Sequence, residues 1–115
     1  MIRPELFKKP WGSEAQYVLN TPVTVKILKI KAGESTSLQR HKRRAEFWKI
    51  LNGKGTLNVG KDTIDIEIGL EINFDREIIH RINAIDEDVE ILEISTGFFD
   101  PNDIERLEDK YGRKT

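Results

Sequence analysis

GESTSLQRHKRRAEFWKILNG, residues Gly33 to Gly53, is the stretch in which the fold and the chemistry of this chain are read together. Five residues separate Gly33 from Gln39, one separates Gln39 from His41, four separate His41 from Glu46, and six separate Glu46 from Gly53. In an extended strand side chains alternate between faces, so Gln39 and His41 point the same way. A turn through Lys42 to Ala45 is expected to return Glu46 on the neighbouring strand, and His80, on a later strand, to supply a fourth donor. Two imidazoles, a carboxylate and an amide oxygen form a donor set for one divalent transition metal, Zn, Mn, Fe, Co or Ni. The competing reading of the same residues is a polar patch inside a barrel without metal.

Outward from this stretch, Gly, Asn and Pro punctuate the chain every eight to twelve residues, and the segments between are β-branched and alternating. That pattern predicts a nearly all-β sandwich or barrel. Val23, Val25 and Ile27 alternate with Thr24 and Lys26, and Leu28 and Ile30 continue on the other parity, which predicts a β-bulge near residues 27 and 28. Ala32 to Glu34 reads as a turn, Glu46 to Leu51 as a strand, Asn52 to Gly55 as a tight hairpin connection and Thr56 to Val59 as its return. Ile64, Ile66 and Ile68 alternate with Asp65 and Glu67 in a half-buried strand. Leu70 to Phe74, Ile79 to Asn83 and Val89 to Ser95 give three more strands. Asn102 or Asp103 is positioned to cap a short C-terminal helix carrying Ile104 and Leu107 and ending at Tyr111-Gly112-Arg113. Glu46, Trp48 and Ile50 share the inward parity of the central strand. Phe47 and Leu51 are expected outside, where their apolar surface suits a partner subunit and a homodimer. Trp11 is expected to pin the N-terminal arm.

Composition narrows the function. The 115 residues are expected to form one domain, 1–115. Basic and acidic residues number 19 and 20, for a net charge of −1, so no global field recruits nucleic acid or an anionic membrane. The chain has no cysteine, which excludes a disulfide scaffold, a thiolate metal site and thiol catalysis, and is in keeping with the cytoplasm. No apolar run is long enough to span a bilayer, and the first residues lack the apolar core of a signal peptide.

The spacing of Gly33, Gln39, His41, Glu46 and Gly53 resembles the first motif of the cupins, double-stranded β-helix barrels related to jelly rolls. Most cupins carry His where this chain has Gln39, and the replacement is similar to that in phosphomannose isomerases. Further agreement lies in Lys9-Pro10-Trp11-Gly12, in Ser37-Leu38-Gln39, in Arg44-Ala45-Glu46 followed by Trp48, in His80-Arg81, and in the tail from Asp103-Ile104-Glu105-Arg106 to Tyr111-Gly112-Arg113. Together these resemble the C-terminal cupin domain of the type II phosphomannose isomerase and mannose-1-phosphate guanylyltransferase family over essentially the whole length. The family's nucleotidyl transferase domain and its Gly-rich phosphate loop are not in this sequence, so no guanylyltransferase activity is carried over. The chain departs from the family at His41-Lys42-Arg43, where three His are usual, at Phe47, and in the second motif at Asp75, Glu77 and Ala84, in place of Pro, Gly and Asn.

The resemblance implies that Gln39, His41, Glu46 and His80 are the metal ligands. It also implies a metal-dependent aldose to ketose isomerisation of a sugar phosphate, mannose 6-phosphate to fructose 6-phosphate. Arg43, Lys42 and Arg44 are then candidates for a phosphate rim, Arg43 first because it shares the parity of His41, and Trp48 for a wall of the sugar pocket. No general base is singled out by spacing. The alternative is a non-catalytic metal- or sugar-binding module that keeps the fold without turnover.

Overall fold

The computed structural model describes residues 1–113. Eleven strands make up its regular structure: β1 Glu5–Lys9, β2 Gly12–Gln16, β3 Thr24–Ile30, β4 Leu38–Arg40, β5 Arg44–Asn52, β6 Gly55–Val59, β7 Asp62–Asp65, β8 Glu71–Phe74, β9 His80–Ala84, β10 Val89–Gly97 and β11 Glu105–Glu108. They form a four-stranded sheet in the order β3-β10-β5-β8, a five-stranded sheet in the order β11-β4-β9-β6-β7, and a separate hairpin β1-β2. All pairings are antiparallel, and the two large sheets pack as a jelly roll. Among the described residues no helix is long and apolar enough to cross a membrane.

Period-two alternation builds the core. Trp48 and Ile50 of β5, Leu57 of β6, Ile82 and Ala84 of β9 and Val89 and Ile91 of β10 point between the sheets and are buried. Fully burying side chains of this size stabilises by about 1.5 to 3 kcal/mol each. A smaller cluster forms on the other side of the four-stranded sheet, where Ile2, Tyr17, Val18 and Val23 cover Phe47 and Ile94. Phe47 is therefore 1% exposed, covered by the chain's own N-terminal segment, while Leu51 is 38% exposed.

Five local expectations need correction. Strand β3 pairs with β10 without a break from Thr24 to Ile30. The bulge expected at residues 27 and 28 is absent there, because apolar residues stand on both faces of a regular strand: Leu28 and Ile30 pack inward, while Val25 and Ile27 are exposed. The irregularity falls instead between Glu90 and Ile91, where β10 meets β5. Asn52 to Gly55 does not close a hairpin but carries the chain from one sheet to the other. Its glycines are required by close approach: a Cβ on Gly53 would meet the Asp88 carbonyl and Val89, and one on Gly55 would meet the Asn83 carbonyl. Strand β7 stops at Asp65, and Ile68 is exposed before the Gly69 turn.

The C-terminal helix is absent among the described residues; the segment is strand β11, paired with β4. Asp103 caps a different backbone, its carboxylate accepting the N–H groups of Lys42 and Arg43 at 2.9 and 2.8 Å. Tyr111 to Arg113 form no helix end, and Lys114 and Thr115 lie outside the described residues. Trp11 pins nothing: it sits at the tip of the β1-β2 hairpin, 72% exposed.

Candidate metal centre and cavity

Strand β4 lies in the five-stranded sheet and β5 in the four-stranded one, so the chain changes sheets at Lys42 and Arg43. Glu46 thus does not return beside Gln39 and His41 on a neighbouring strand; it faces them from the opposite wall. His80 opens β9 as the direct cross-strand partner of Gln39, which sets both side chains on one face. The ligand atoms of His41, Glu46 and His80 lie within 4.8 Å of one another, and all three residues are buried. Glu46 Oε1 is 3.5 Å from His41 Nε2 and 3.3 Å from His80 Nε2. Gln39 is half-buried and lines the same cavity.

The protonation of the two rings follows from their other nitrogens. His41 Nδ1 is 2.8 Å from the Asp103 carbonyl oxygen and His80 Nδ1 is 2.9 Å from that of Ile78. A carbonyl oxygen only accepts, so each Nδ1 carries a proton and donates it, and each Nε2 is turned toward Glu46. Glu46 Oε1 and His80 Nε2 are buried without a hydrogen-bond partner. The Glu46 carboxyl is pushed up by burial, but the His80 contact and the charges of His41, His80 and Arg44 outweigh this and hold it at about 2. Burial lowers the His41 pKa, against the pull of the Glu46 charge. Two imidazole nitrogens and a carboxylate oxygen converge here, and an ion bound to all three would satisfy Glu46 Oε1 and His80 Nε2 together. Bond lengths of about 2.0 to 2.2 Å in a tetrahedral site set ligand atoms roughly 3.3 to 3.6 Å apart, the spacing seen around Glu46 Oε1. The residues present therefore fit a divalent transition metal. The backbone carbonyls of Asp103 and Ile78 hold both imidazoles, and the stacking of His80 on Phe74, 4.6 Å between centroids and 22° between planes, fixes its ring.

Around this cluster the walls are charged. Arg44 is buried, donating from Nε to Glu46 Oε2 at 3.1 Å and from Nη1 to the Asp100 carbonyl at 3.1 Å, with Nη2 3.3 Å from His41 Nε2. Trp48 Nε1–H donates to Glu93 Oε2 at 3.0 Å. Glu93 is itself buried, and burial first, then the neighbouring Glu46 charge, push its carboxyl pKa up. These residues open on a cavity of about 480 Å³, a size ordinary for small-molecule sites.

Of the residues singled out in the sequence, Gln39, His41, Glu46, Arg44 and Trp48 line this cavity, and His80 does not line it but contacts Glu46 at 3.3 Å. Lys42 and Arg43 do not line it: both are exposed, and the Arg43 guanidinium lies 4.2 Å from the Phe98 ring centroid. The parity argument for Arg43 fails because β4 ends at Arg40, before the turn. Glu93 was missed, although alternation with Val89, Ile91 and Ser95 marks it as a carboxylate on an inward row. The departure at Glu77 leaves the turn before His80 intact. Its φ of 66° is in the left-handed region that glycine enters freely, and its N–H donates to the His41 carbonyl at 2.6 Å.

The model of the family described as mannose-6-phosphate isomerase C-terminal matches residues 3–109. The alginate biosynthesis protein AlgA of Pseudomonas aeruginosa is 33% identical over 107 residues, covering 91% of this chain and 22% of AlgA. A mannose-1-phosphate guanylyltransferase of Klebsiella pneumoniae is 35% identical over 115 residues, covering 91% of this chain and 23% of that protein. The chain thus spans less than a quarter of the length of these curated relatives. Among solved structures, a cupin protein from Bacteroides fragilis superposes with a TM-score of 0.62 at 25% identity, covering 67% of each chain. A candidate sugar phosphate isomerase from Acidithiobacillus ferrooxidans does so with a TM-score of 0.61 at 25% identity, covering 66% of this chain and 51% of that one. The fold is that of the cupins, and by the extent of the family match the chain belongs to the mannose-6-phosphate isomerase C-terminal family.

Proposed function

We propose that this chain is a metal-dependent aldose-ketose isomerase acting on a sugar phosphate, mannose 6-phosphate to fructose 6-phosphate. The observation that carries this reading is the convergence of three buried ligand atoms, His41 Nε2, Glu46 Oε1 and His80 Nε2, beside a cavity sized for a small molecule. Gln39, His41, Glu46 and His80 would hold the ion. When bound, a divalent ion supplies Lewis-acid stabilisation of negative charge developing on sugar oxygens.

The chain's own residues supply the rest. Isomerisation moves one proton between adjacent carbons through a cis-enediol, and a carboxylate poised to take and return it must stand beside the sugar. Glu93 fills that role: Trp48 holds one of its oxygens, and it is the diagonal neighbour of Glu46 across β5 and β10. Its raised pKa brings it nearer the range in which a base both accepts and releases a proton at neutral pH. Arg44 balances the charge of Glu46 and offers a cation to substrate oxygens. Trp48 closes one wall and excludes water from the reacting carbons.

A coupled assay on metal-loaded protein tests this reading. Turnover of mannose 6-phosphate supports it; turnover of glucose 6-phosphate alone moves the substrate; stoichiometric metal with turnover of neither favours the non-catalytic sugar-binding module. The assembly we propose is a homodimer formed through the β1-β2 hairpin, which among the described residues pairs with no other strand and exposes Leu6 and Trp11. An isolated two-stranded hairpin is marginal in water. Light scattering at micromolar concentration should return twice the chain mass, and a monomer throughout that range rejects it.

A further inference from the structure

The geometry points to Arg106 as the anchor for the phosphate of the substrate, an inference that rests on the sugar phosphate reading above. Arg106 on β11 pairs directly with Gln39 on β4, and Gln39 pairs directly with His80 on β9. The three side chains therefore form one inward row crossing three adjacent strands. Strands lie about 4.8 Å apart, so the Arg106 backbone stands roughly 10 Å along this row from that of His80. That span is comparable to the distance from the first carbons of a hexose, where isomerisation takes place, to a phosphate on its sixth carbon.

The state of the guanidinium supports the assignment. Among the described residues, the other arginines that line the cavity are engaged by carboxylates: Arg44 by Glu46 and Arg113 by Asp109. Among the described residues Arg106 forms no ion pair, and its Nε is buried without a hydrogen-bond partner. A buried donor left unmade is costly, and a planar guanidinium is the natural bidentate partner of a phosphate. Lys42 and Arg43, the sequence candidates for this role, lie outside the cavity. Lys26, the cross-strand partner of Glu93, adds a further cation to the same cavity.

The test uses metal-loaded protein and titrates mannose 6-phosphate, inorganic phosphate and unphosphorylated mannose against the parent, Arg106→Gln, Arg106→Lys and Arg43→Gln. The assignment predicts that Arg106→Gln weakens both phosphate ligands at least about tenfold while leaving metal content and mannose affinity unchanged. Arg106→Lys should recover part of the loss, and Arg43→Gln should match the parent. Parent-like phosphate affinity in Arg106→Gln overturns the anchor and leaves the isomerase reading standing. Phosphate binding that depends on Arg106, with no turnover of mannose 6-phosphate by the parent, supports the anchor and defeats the isomerase reading. A parent that binds neither phosphate ligand overturns the anchor outright.

Discussion

The two ends of the space between the sheets are built from the same strands and have opposite character. Ile50 faces Ile91 across β5 and β10; one step along, Trp48 faces Glu93; one step further, Glu46 faces Ser95. The opposite wall changes at the same level, from Ala84 and Ile82 to His80 along the inward face of β9. The apolar end is closed and packed, and its side chains gain stability by leaving water. The polar end holds charges that are costly to bury unless paired, and it opens on a cavity. Stability should therefore reside in the first end and chemistry in the second, with Trp48 as the hinge between them.

The largest effect that would break this division is expected at the apolar end. Ile91 is fully buried, and Ile91→Ala should cost about 2 to 5 kcal/mol in denaturant melts while the folded fraction keeps its metal affinity. At the polar end the order reverses. His80→Ala should leave the metal-free melt close to the parent's, but should abolish the stabilisation that added metal gives, about 2.7 kcal/mol when free metal is a hundredfold above the dissociation constant. A metal-induced shift of equal size in the parent and His80→Ala would contradict the division.

Two smaller changes sharpen it. Burial and the Glu46 charge raise the Glu93 pKa, so its folded form binds a proton more tightly than the unfolded chain does. The stability it contributes is complete below the unfolded carboxylate pKa and is lost as pH rises through the folded value. Glu93→Gln, which can still accept the Trp48 N–H, should therefore stabilise the protein at pH 7, have less effect at pH 4, and abolish turnover. Unchanged turnover would remove Glu93 from the chemistry. Glu46 has the opposite sign. Its folded pKa of about 2 means its contribution is present above the unfolded value near 4.5 and lost as pH falls toward about 2. The smallest effect is at the turn before His80: Glu77→Gly should relieve left-handed strain and raise stability by about 0.5 to 1 kcal/mol. A loss there would show that the Glu77 side chain contributes more than its backbone costs.

The same contrast explains what the sequence disclosed. Alternation marked most of the core strands, and the spacing from Gly33 to Gly53 drew attention to Gln39, His41 and Glu46, because short-range parity depends on neighbouring residues alone. Which sheet a strand joins depends on partners far along the chain. The strand of Glu46 was read as beside that of Gln39 when it lies across the barrel from it. Ile104 and Leu107 fit a helical spacing as well as an extended tail, and only the open edge of β4 selects the strand. The β1-β2 hairpin carries weak apolar alternation and went unread. Glu93 was legible in principle, since a carboxylate on the inward row of β10 is the kind of exception that marks a site. Arg106 was visible only as part of a tail motif until pairing with Gln39 turned it toward the cavity.

That His41, Glu46 and His80 together hold an ion is tested most directly by elemental analysis of purified protein. The parent, loaded with Zn, Mn, Fe, Co or Ni and passed through gel filtration, should retain close to one divalent ion per chain, and folded His41→Ala and His80→Ala should retain almost none. A parent that emerges metal-free from all five loadings, or variants that retain as much metal as the parent, would contradict it.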